Sequence, residues 1–317
     1  MWFKQLFFVF KLLVSVGLIA LVVGKIDTDA VLARIASINL VWIPVVTGLM
    51  LVILGLLVLR WNRILRVVDM PLSTAKTAQI VLVGQFFNQT LPSNIGGDAM
   101  RVYYTWRLGH DPARAFASVL LDRIAGLFAL LVLVTATLPI LWANPPSELL
   151  LVTIHTLVVV GWASMAVLFA LDNGLSRRFD QFRLMRFFID LSRDARALAC
   201  SPVILAYVVA TSVLVHLLTV MLAWSLDRAL GGDVAFSAYL VAMLATLLIL
   251  SLPISVAGWG VREQSLVLIL ASFAIGEVQA FSVSILFGLV MLMSGIPGGI
   301  IWLTTGMKRA QPPNPLA

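Results

Sequence analysis

Apolar residues run almost unbroken for about 20 positions at a time, and such runs recur along the 317-residue chain. A helix needs about 20 apolar residues to cross about 30 Å of hydrocarbon, so these runs predict membrane-spanning helices. Full spans are predicted at 5–24, 41–59, 114–141, 149–171, 202–226 and 280–303. Two intervening stretches break the pattern. Residues 73–106 carry Gln79, Gln85, Asn88, Gln89 and Asn94 among apolar neighbours, and residues 237–271 are apolar but interrupted by Pro253, Gly258 and Gly260. The interruptions resemble each other. The phrase from Leu91-Pro92 to Arg101 returns as Leu252-Pro253 to Arg262 at a constant offset of 161 residues, with Gly97 matched by Gly258. Paired Pro/Gly-broken segments in two halves of a membrane protein point to a binding site between them.

Charge then sets the topology. Arg60, Arg63, Arg66 and Lys76 follow the second predicted span, and Arg101, Arg107 and Arg114 precede the third. Six arginines between 177 and 196 follow the fourth span, and Lys308 and Arg309 follow the last, whereas the opposite loops hold only Lys25, Arg34 and Arg228. The positive-inside rule places both termini in the cytoplasm. Residues 77–100 then enter and leave from the inner side, and 237–271 from the outer side. The expected fold is an all-α polytopic membrane protein with six full spans and two oppositely oriented re-entrant hairpins, an inverted repeat in one integral domain. Leu-Pro-x-x-x-x-Gly marks each hairpin tip, with Pro92, Gly96 and Gly97 at one and Pro253, Gly258 and Gly260 at the other. The competing reading, full spans at 73–92 and 237–257, would turn the next loop outward and break the charge pattern.

Composition narrows the function classes. With 61% apolar and 12% charged residues the chain cannot cover a soluble surface, and the net charge of +7 reflects cytoplasmic loops rather than nucleic-acid binding. The lone Cys200 excludes an internal disulfide, and no spacing marks a metal or cofactor site. Lys4 and Lys11 before an apolar run resemble a signal peptide, but Gly24-Lys25-Ile26-Asp27 is a poor cleavage site, so an uncleaved span is expected. Segment 174–199 alternates arginines with Phe179, Phe187, Ile189 and Leu191, which predicts an amphipathic helix on the inner leaflet. Residues 310–317 read as a disordered tail. Asn88-Gln89-Thr90 fits the glycosylation pattern but lies within a hairpin.

The candidate chemistry is the set of charges inside the apolar segments. A charge at the bilayer centre costs about 2.5–3.5 kcal/mol, so each needs a reason. Asp98 and Arg101 sit on the returning arm of the first hairpin, Arg262 and Glu263 at the matching place in the second, and Asp122 and Arg123 near the start of the third span. Arginine suits phosphate because its planar fork donates paired hydrogen bonds and never deprotonates. Arg101, Arg123 and Arg262 are therefore candidate headgroup ligands, with Asp98, Asp122 and Glu263 as counter-ions that pin the hairpins. The glycines would let backbone amides approach an anion. Asn88, Ser93, Asn94 and Ser255 are candidate contacts that equally suit helix capping. Asp98, Glu263 and His216 are candidate proton carriers; His216 and His155 also fit as neutral, hydrogen-bonded core residues.

Gln85-Phe86-Phe87-Asn88-Gln89-Thr90-Leu91-Pro92 with Gly96-Gly97-Asp98-Ala99-Met100-Arg101, Ala117 to Arg123, and Ser251 to Glu263 resemble the flippase-like family, also named for the transmembrane region of lysylphosphatidylglycerol synthases. The resemblance covers nearly the whole chain. It implies translocation or binding of a membrane lipid, an anionic phospholipid or a polyprenyl- or hopanoid-type lipid, in a bacterial or archaeal cytoplasmic membrane. The chain carries neither the soluble aminoacyl-transfer domain of the synthases nor a nucleotide-binding loop, so no aminoacyl transfer and no ATP-driven step is expected. An intramembrane lipid-phosphate enzyme and a membrane scaffold stay open as alternatives; few acids, each beside an arginine, count against the enzyme.

Overall fold

The computed structural model describes residues 17, 20, 24, 26–91, 96–171, 183–252 and 255–305. Eleven α-helices and one 3-10 turn occur among them. α1 (Thr28–Ala36) begins at Asp27, whose carboxylate accepts from the Asp29 and Ala30 amides at 3.0 Å. A 3-10 turn (Leu40–Trp42) leads into α2 (Ile43–Val67); then come α3 (Thr74–Thr90) and α4 (Gly96–Arg107). α5 (Pro112–Ala143) starts at a proline behind the Asp111 cap, a preorganised first turn. α6 (Glu148–Ala170), α7 (Arg183–Cys200), α8 (Pro202–Ala229), α9 (Phe236–Leu250), α10 (Val261–Ala271) and α11 (Glu277–Thr304) complete the chain.

Five of these segments are long and apolar enough to cross a membrane: Leu40–Val67, Pro112–Ala143, Glu148–Ala170, Pro202–Ala229 and Glu277–Thr304. They correspond to the predicted spans from 41–59 onward, so the protein is an all-α polytopic membrane protein. The predicted span at 5–24 and the tail at 310–317 lie outside the described residues. One boundary differs with consequence. The second span was expected to end at 59, but α2 continues two turns to Val67. Arg60 therefore belongs to a helix and not to a cytoplasmic loop.

The two broken stretches each form a pair of short helices. α3 and α4 have 17 and 12 residues, and α9 and α10 have 15 and 11. At 1.5 Å per residue the longest reaches about 25 Å, short of the hydrocarbon thickness of about 30 Å. The members of each pair pack on one another. Gly97 is needed there, because a Cβ would strike the Gly84 carbonyl and the Asn88 side chain. The second break turns through left-handed residues, Ala257 (φ 48°), Gly258 (φ 81°) and Gly260 (φ 85°). Pro92, Ser93, Asn94 and Pro253 lie outside the described residues.

Two buried clusters organise the molecule. The larger joins α9 and α10 to α1, α2, α5, α6, α8 and α11. The smaller gathers α2, α3, α4, α5, α7 and the start of α8 around the fully buried Trp61, Ile64, Leu65 and Ile80. α11 bridges them by packing against both α3 and α10. Its small stripe of Gly295, Gly298 and Gly299 lets α3 approach: a Cβ at Gly298 would strike the Leu82 backbone carbonyl. Residues 172–182, the front of the expected amphipathic segment, are outside the described set. The rest forms α7, and its apolar stripe of Ile189, Leu191, Ala195 and Leu198 is buried within the protein. Ser192 Oγ donates to the Leu168 carbonyl at 2.7 Å, fixing α7 to the end of α6. The bundle, rather than the inner leaflet, covers this apolar face, because α5, α6 and α8 offer a ready apolar surface.

Candidate functional site: an arginine-lined cavity inside the helix bundle

Helix α5 delivers Asp122 to a place where three other elements converge. Asp122 is only 3% exposed and holds two arginines. Its Oδ1 accepts from Arg60 Nε at 2.7 Å, and its Oδ2 accepts from Arg101 Nη2 at 2.9 Å. Arg60 reaches further, donating through Nη1 to Ser212 Oγ on α8 at 3.1 Å. One turn before Arg101 on α4, Asp98 accepts from Arg123 Nε at 2.8 Å and Nη2 at 3.2 Å, and from Arg101 Nη1 at 3.4 Å. A continuous network results: Ser212, Arg60, Asp122, Arg101, Asp98, Arg123.

The network borders a small cavity of about 130 Å³ lined by Leu57, Arg60, Val81, Gly84, Gln85, Asn88, Arg101, Asp122 and Arg123. Three guanidinium groups face two carboxylates there, counting Asp98 behind Arg123, so the formal balance is 3 − 2 = +1. Arg60 and Arg101 are buried, whereas the Arg123 side chain is 52% exposed and stands at the rim. The Arg101 guanidinium lies 4.2 Å from the Trp61 ring centre, a cation–π contact that holds it side-on. Its Nε is buried with no hydrogen-bond partner among the described residues. A buried donor without an acceptor costs about 1–3 kcal/mol, so the site has an unmet demand for one.

Asn88 borders the cavity, but its Oδ1 accepts from the Gly97 amide at 2.8 Å, tying the end of α3 to the start of α4. Gly97 thus serves close helix packing and capping, and its amide does not point free toward an anion as the glycine argument supposed. Gln85 reaches out of the cavity to α11, donating to Ser294 Oγ at 2.9 Å.

The second hairpin's charges lie elsewhere. Arg262 is 4% exposed and Glu263 fully buried, and the two pair directly. Glu263 Oε1 also receives Ser284 Oγ at 3.4 Å, while its Oε2 accepts the Gly260 amide at 2.6 Å, capping α10. Arg262 packs over Trp259 at 4.6 Å and Phe287 at 5.8 Å, and against Gly288. Ser255 is buried in the same turn and is not among the cavity residues. On α11, Ser284 beside Arg262 and Ser294 beside Gln85 are ten residues apart, about 15 Å along the axis. The two halves of the repeat therefore do not bring Arg101 and Arg262 to one cavity. Arg262 has all its charge answered within its own hairpin.

The sequence patterns missed three members, Arg60, Trp61 and Ser212. Arg60 reads as a loop charge because it follows an apolar run, and Trp61 reads as packing only; nothing local signals a partner 62 positions away. His216 and His155 both occupy hydrogen-bonded places. His216 Nε2 lies 3.0 Å from the Gly126 carbonyl, and His155 accepts from Trp142 Nε1 at 2.9 Å while facing the Leu151 carbonyl through Nδ1. Among the described residues no three of His, Cys, Asp and Glu gather in a metal-binding group. No curated protein matches this chain. Residues 8–298 match the family model described as the lysylphosphatidylglycerol synthase TM region, and the chain belongs to that family.

Proposed function

We propose that the protein is a flippase-like lipid transporter that carries an anionic lipid between leaflets by alternating access. The observation that carries this reading is the +1 arginine cavity inside an apolar helix bundle, with the Arg101 Nε donor unanswered. A phosphate offers several acceptor oxygens with a matching geometry for paired guanidinium donors. Arg123 at the rim meets the headgroup first, and Arg101 and Arg60 take it further in. Membership of a membrane-lipid family supports a lipid as the ligand. The cargo belongs to the class of anionic phospholipids or isoprenoid-linked phosphates.

In this reading, α3/α4 and α9/α10 are re-entrant hairpins entering from opposite faces, related as an inverted repeat, with residues 5–24 as a sixth span. Support comes from their short arms, their Pro/Gly breaks and the placement of positive charge. Both termini face the cytoplasm, and the membrane is the cytoplasmic membrane of a bacterium or archaeon. Arg262, Glu263 and Ser284 lock the second hairpin against α11, and the first hairpin carries the headgroup. Each acid at these sites is engaged by arginine, which leaves no free carboxylate to act as a general base; this favours transport over lipid-phosphate hydrolysis.

The test is headgroup translocation in proteoliposomes with labelled phosphatidylglycerol and a labelled polyprenyl phosphate, alongside phosphate release. Wild type is expected to move at least one of them, and Arg101→Ala and Arg123→Ala to abolish movement while remaining folded. Movement unaffected by both substitutions, or phosphate release without movement, would overturn the assignment.

A further inference from the structure

A second cavity lies against the first and has the opposite character. It measures about 470 Å³ and runs between α2, α11 and the end of α8. Its walls are Trp42, Val46, Met50 and Leu54 on one side and Leu286 to Pro297 on the other, with hardly any polar surface. The polar groups at its ends are already engaged: Asn39 accepts from the Val41 amide, and Ser294 accepts from Gln85 while donating to the Met291 carbonyl. Thr47 adds one hydroxyl to a wall that is otherwise apolar. The groove suits hydrocarbon.

Its dimensions and position identify the hydrocarbon. From Trp42, the cap of α2, to Leu54 is twelve residue steps, about 18 Å; from Leu286 to Pro297 on α11 is eleven, about 16 Å. One leaflet of a bilayer with a core of about 30 Å is about 15 Å deep, the length of one acyl chain. The groove also meets the arginine cavity. Leu54 ends the groove on α2, and Leu57 and Arg60, one and two turns on, line the cavity. A hydrogen-bonded pair links their walls: Ser294 lines the groove and Gln85 lines the cavity, 2.9 Å apart.

We infer that this groove holds one acyl chain of the anionic phospholipid whose phosphate occupies the arginine cavity, with Gln85 and Ser294 at the junction of head and tail. The inference rests on the transport reading above and adds to it a tail site and a choice of lipid. A glycerophospholipid tail matches the groove's single-leaflet length, whereas a long polyprenyl chain overruns it. Binding of the tail also explains how a lipid keeps its hydrocarbon covered while its headgroup sits deep in the bundle.

Trp42 in the groove wall provides the reporter. The purified protein in detergent is titrated with phosphatidylglycerol brominated on its acyl chains, and the Trp42 signal is taken as the difference from Trp42→Phe. Saturable quenching, reversed by unbrominated phosphatidylglycerol, is expected. Thr47→Phe and Met293→Phe, which fill the groove from exposed positions, should weaken it at least tenfold with the unfolding midpoint unchanged. Arg101→Ala should weaken it as well. Absence of saturable Trp42 quenching with Arg101-dependent translocation intact would overturn the tail site alone, leaving the groove to another protein segment. Quenching indifferent to Arg101, with no translocation of any lipid, would overturn the transport reading too. Stronger displacement by polyprenyl phosphate than by phosphatidylglycerol would overturn the choice of an acyl chain.

Discussion

Replacing Asp122 by asparagine keeps the shape of the site and removes the charge that holds two buried arginines. Arg60 and Arg101 are 5% and 8% exposed, and Asp122 meets them at 2.7 and 2.9 Å. Two unit charges about 4 Å apart attract by about 4 kcal/mol at an effective dielectric of 20, and most of that is offset by desolvation in the intact site. Removing the aspartate leaves the desolvation in place. Arg101 retains Asp98 at 3.4 Å, but among the described residues Arg60 keeps only Ser212. Loss of one partner of a buried pair costs about 3–5 kcal/mol, and the same loss is expected here. The assay is unfolding of purified protein in mixed dodecylmaltoside–SDS micelles, with Arg60→Gln and the double variant completing a cycle. The double variant should be less unstable than the sum of the single ones by about 0.5–3 kcal/mol. The formal balance of the cavity rises from +1 to +2, so phosphatidylglycerol should stabilise Asp122→Asn more than wild type. A cost below about 1 kcal/mol, with no greater response to anionic lipid, would refute the network as a buried, charge-balanced anion site.

Other outcomes follow from the same geometry. Arg123→Ala should leave stability within about 1 kcal/mol, because the Arg123 side chain is half-exposed and Asp98 keeps Arg101 as a partner, yet it should abolish translocation; loss of folding would contradict its rim position. Gly298→Ala forces a methyl against the Leu82 carbonyl and should cost about 1–3 kcal/mol on unfolding, while Gly48→Ala, with open space around it, should be neutral. Glu263→Gln removes the counter-charge of buried Arg262 and should lower stability by several kcal/mol, about 3–5 by the same rule, whereas Ser284→Ala should cost about 1 kcal/mol. On α7, outside the spans, burial raises the Asp194 carboxyl above its ordinary value although Arg114 opposes it. A raised carboxylate favours folding when protonated, so its contribution is present below the ordinary pKa and lost as pH rises through the raised one. Asp194→Asn should therefore flatten the acid side of the thermal stability profile and raise stability at neutral pH.

Membrane residence, five of the spans and both helix breaks were legible in the amino-acid order, because they depend on local properties. Apolar run length is set by bilayer thickness, and Pro and Gly end helices wherever they fall. The doublets Asp98/Arg101, Asp122/Arg123 and Arg262/Glu263 were legible too, since a charge within an apolar run is costly and marks itself. The partners those charges choose were not. Arg60 looked like a positive-inside residue, and only the continuation of α2 to Val67 and its packing beside α5 turned it toward Asp122. Arg262 looked like the twin of Arg101, yet Glu263, Ser284 and the wall of Trp259 and Phe287 absorb its charge fifteen or so ångströms along α11. The apolar groove had no signature at all, because its walls use the same residues that face lipid everywhere else. Composition fixes which segments enter the membrane; side-chain pairing across helices, which has no period along the chain, decides which of their charges form the site.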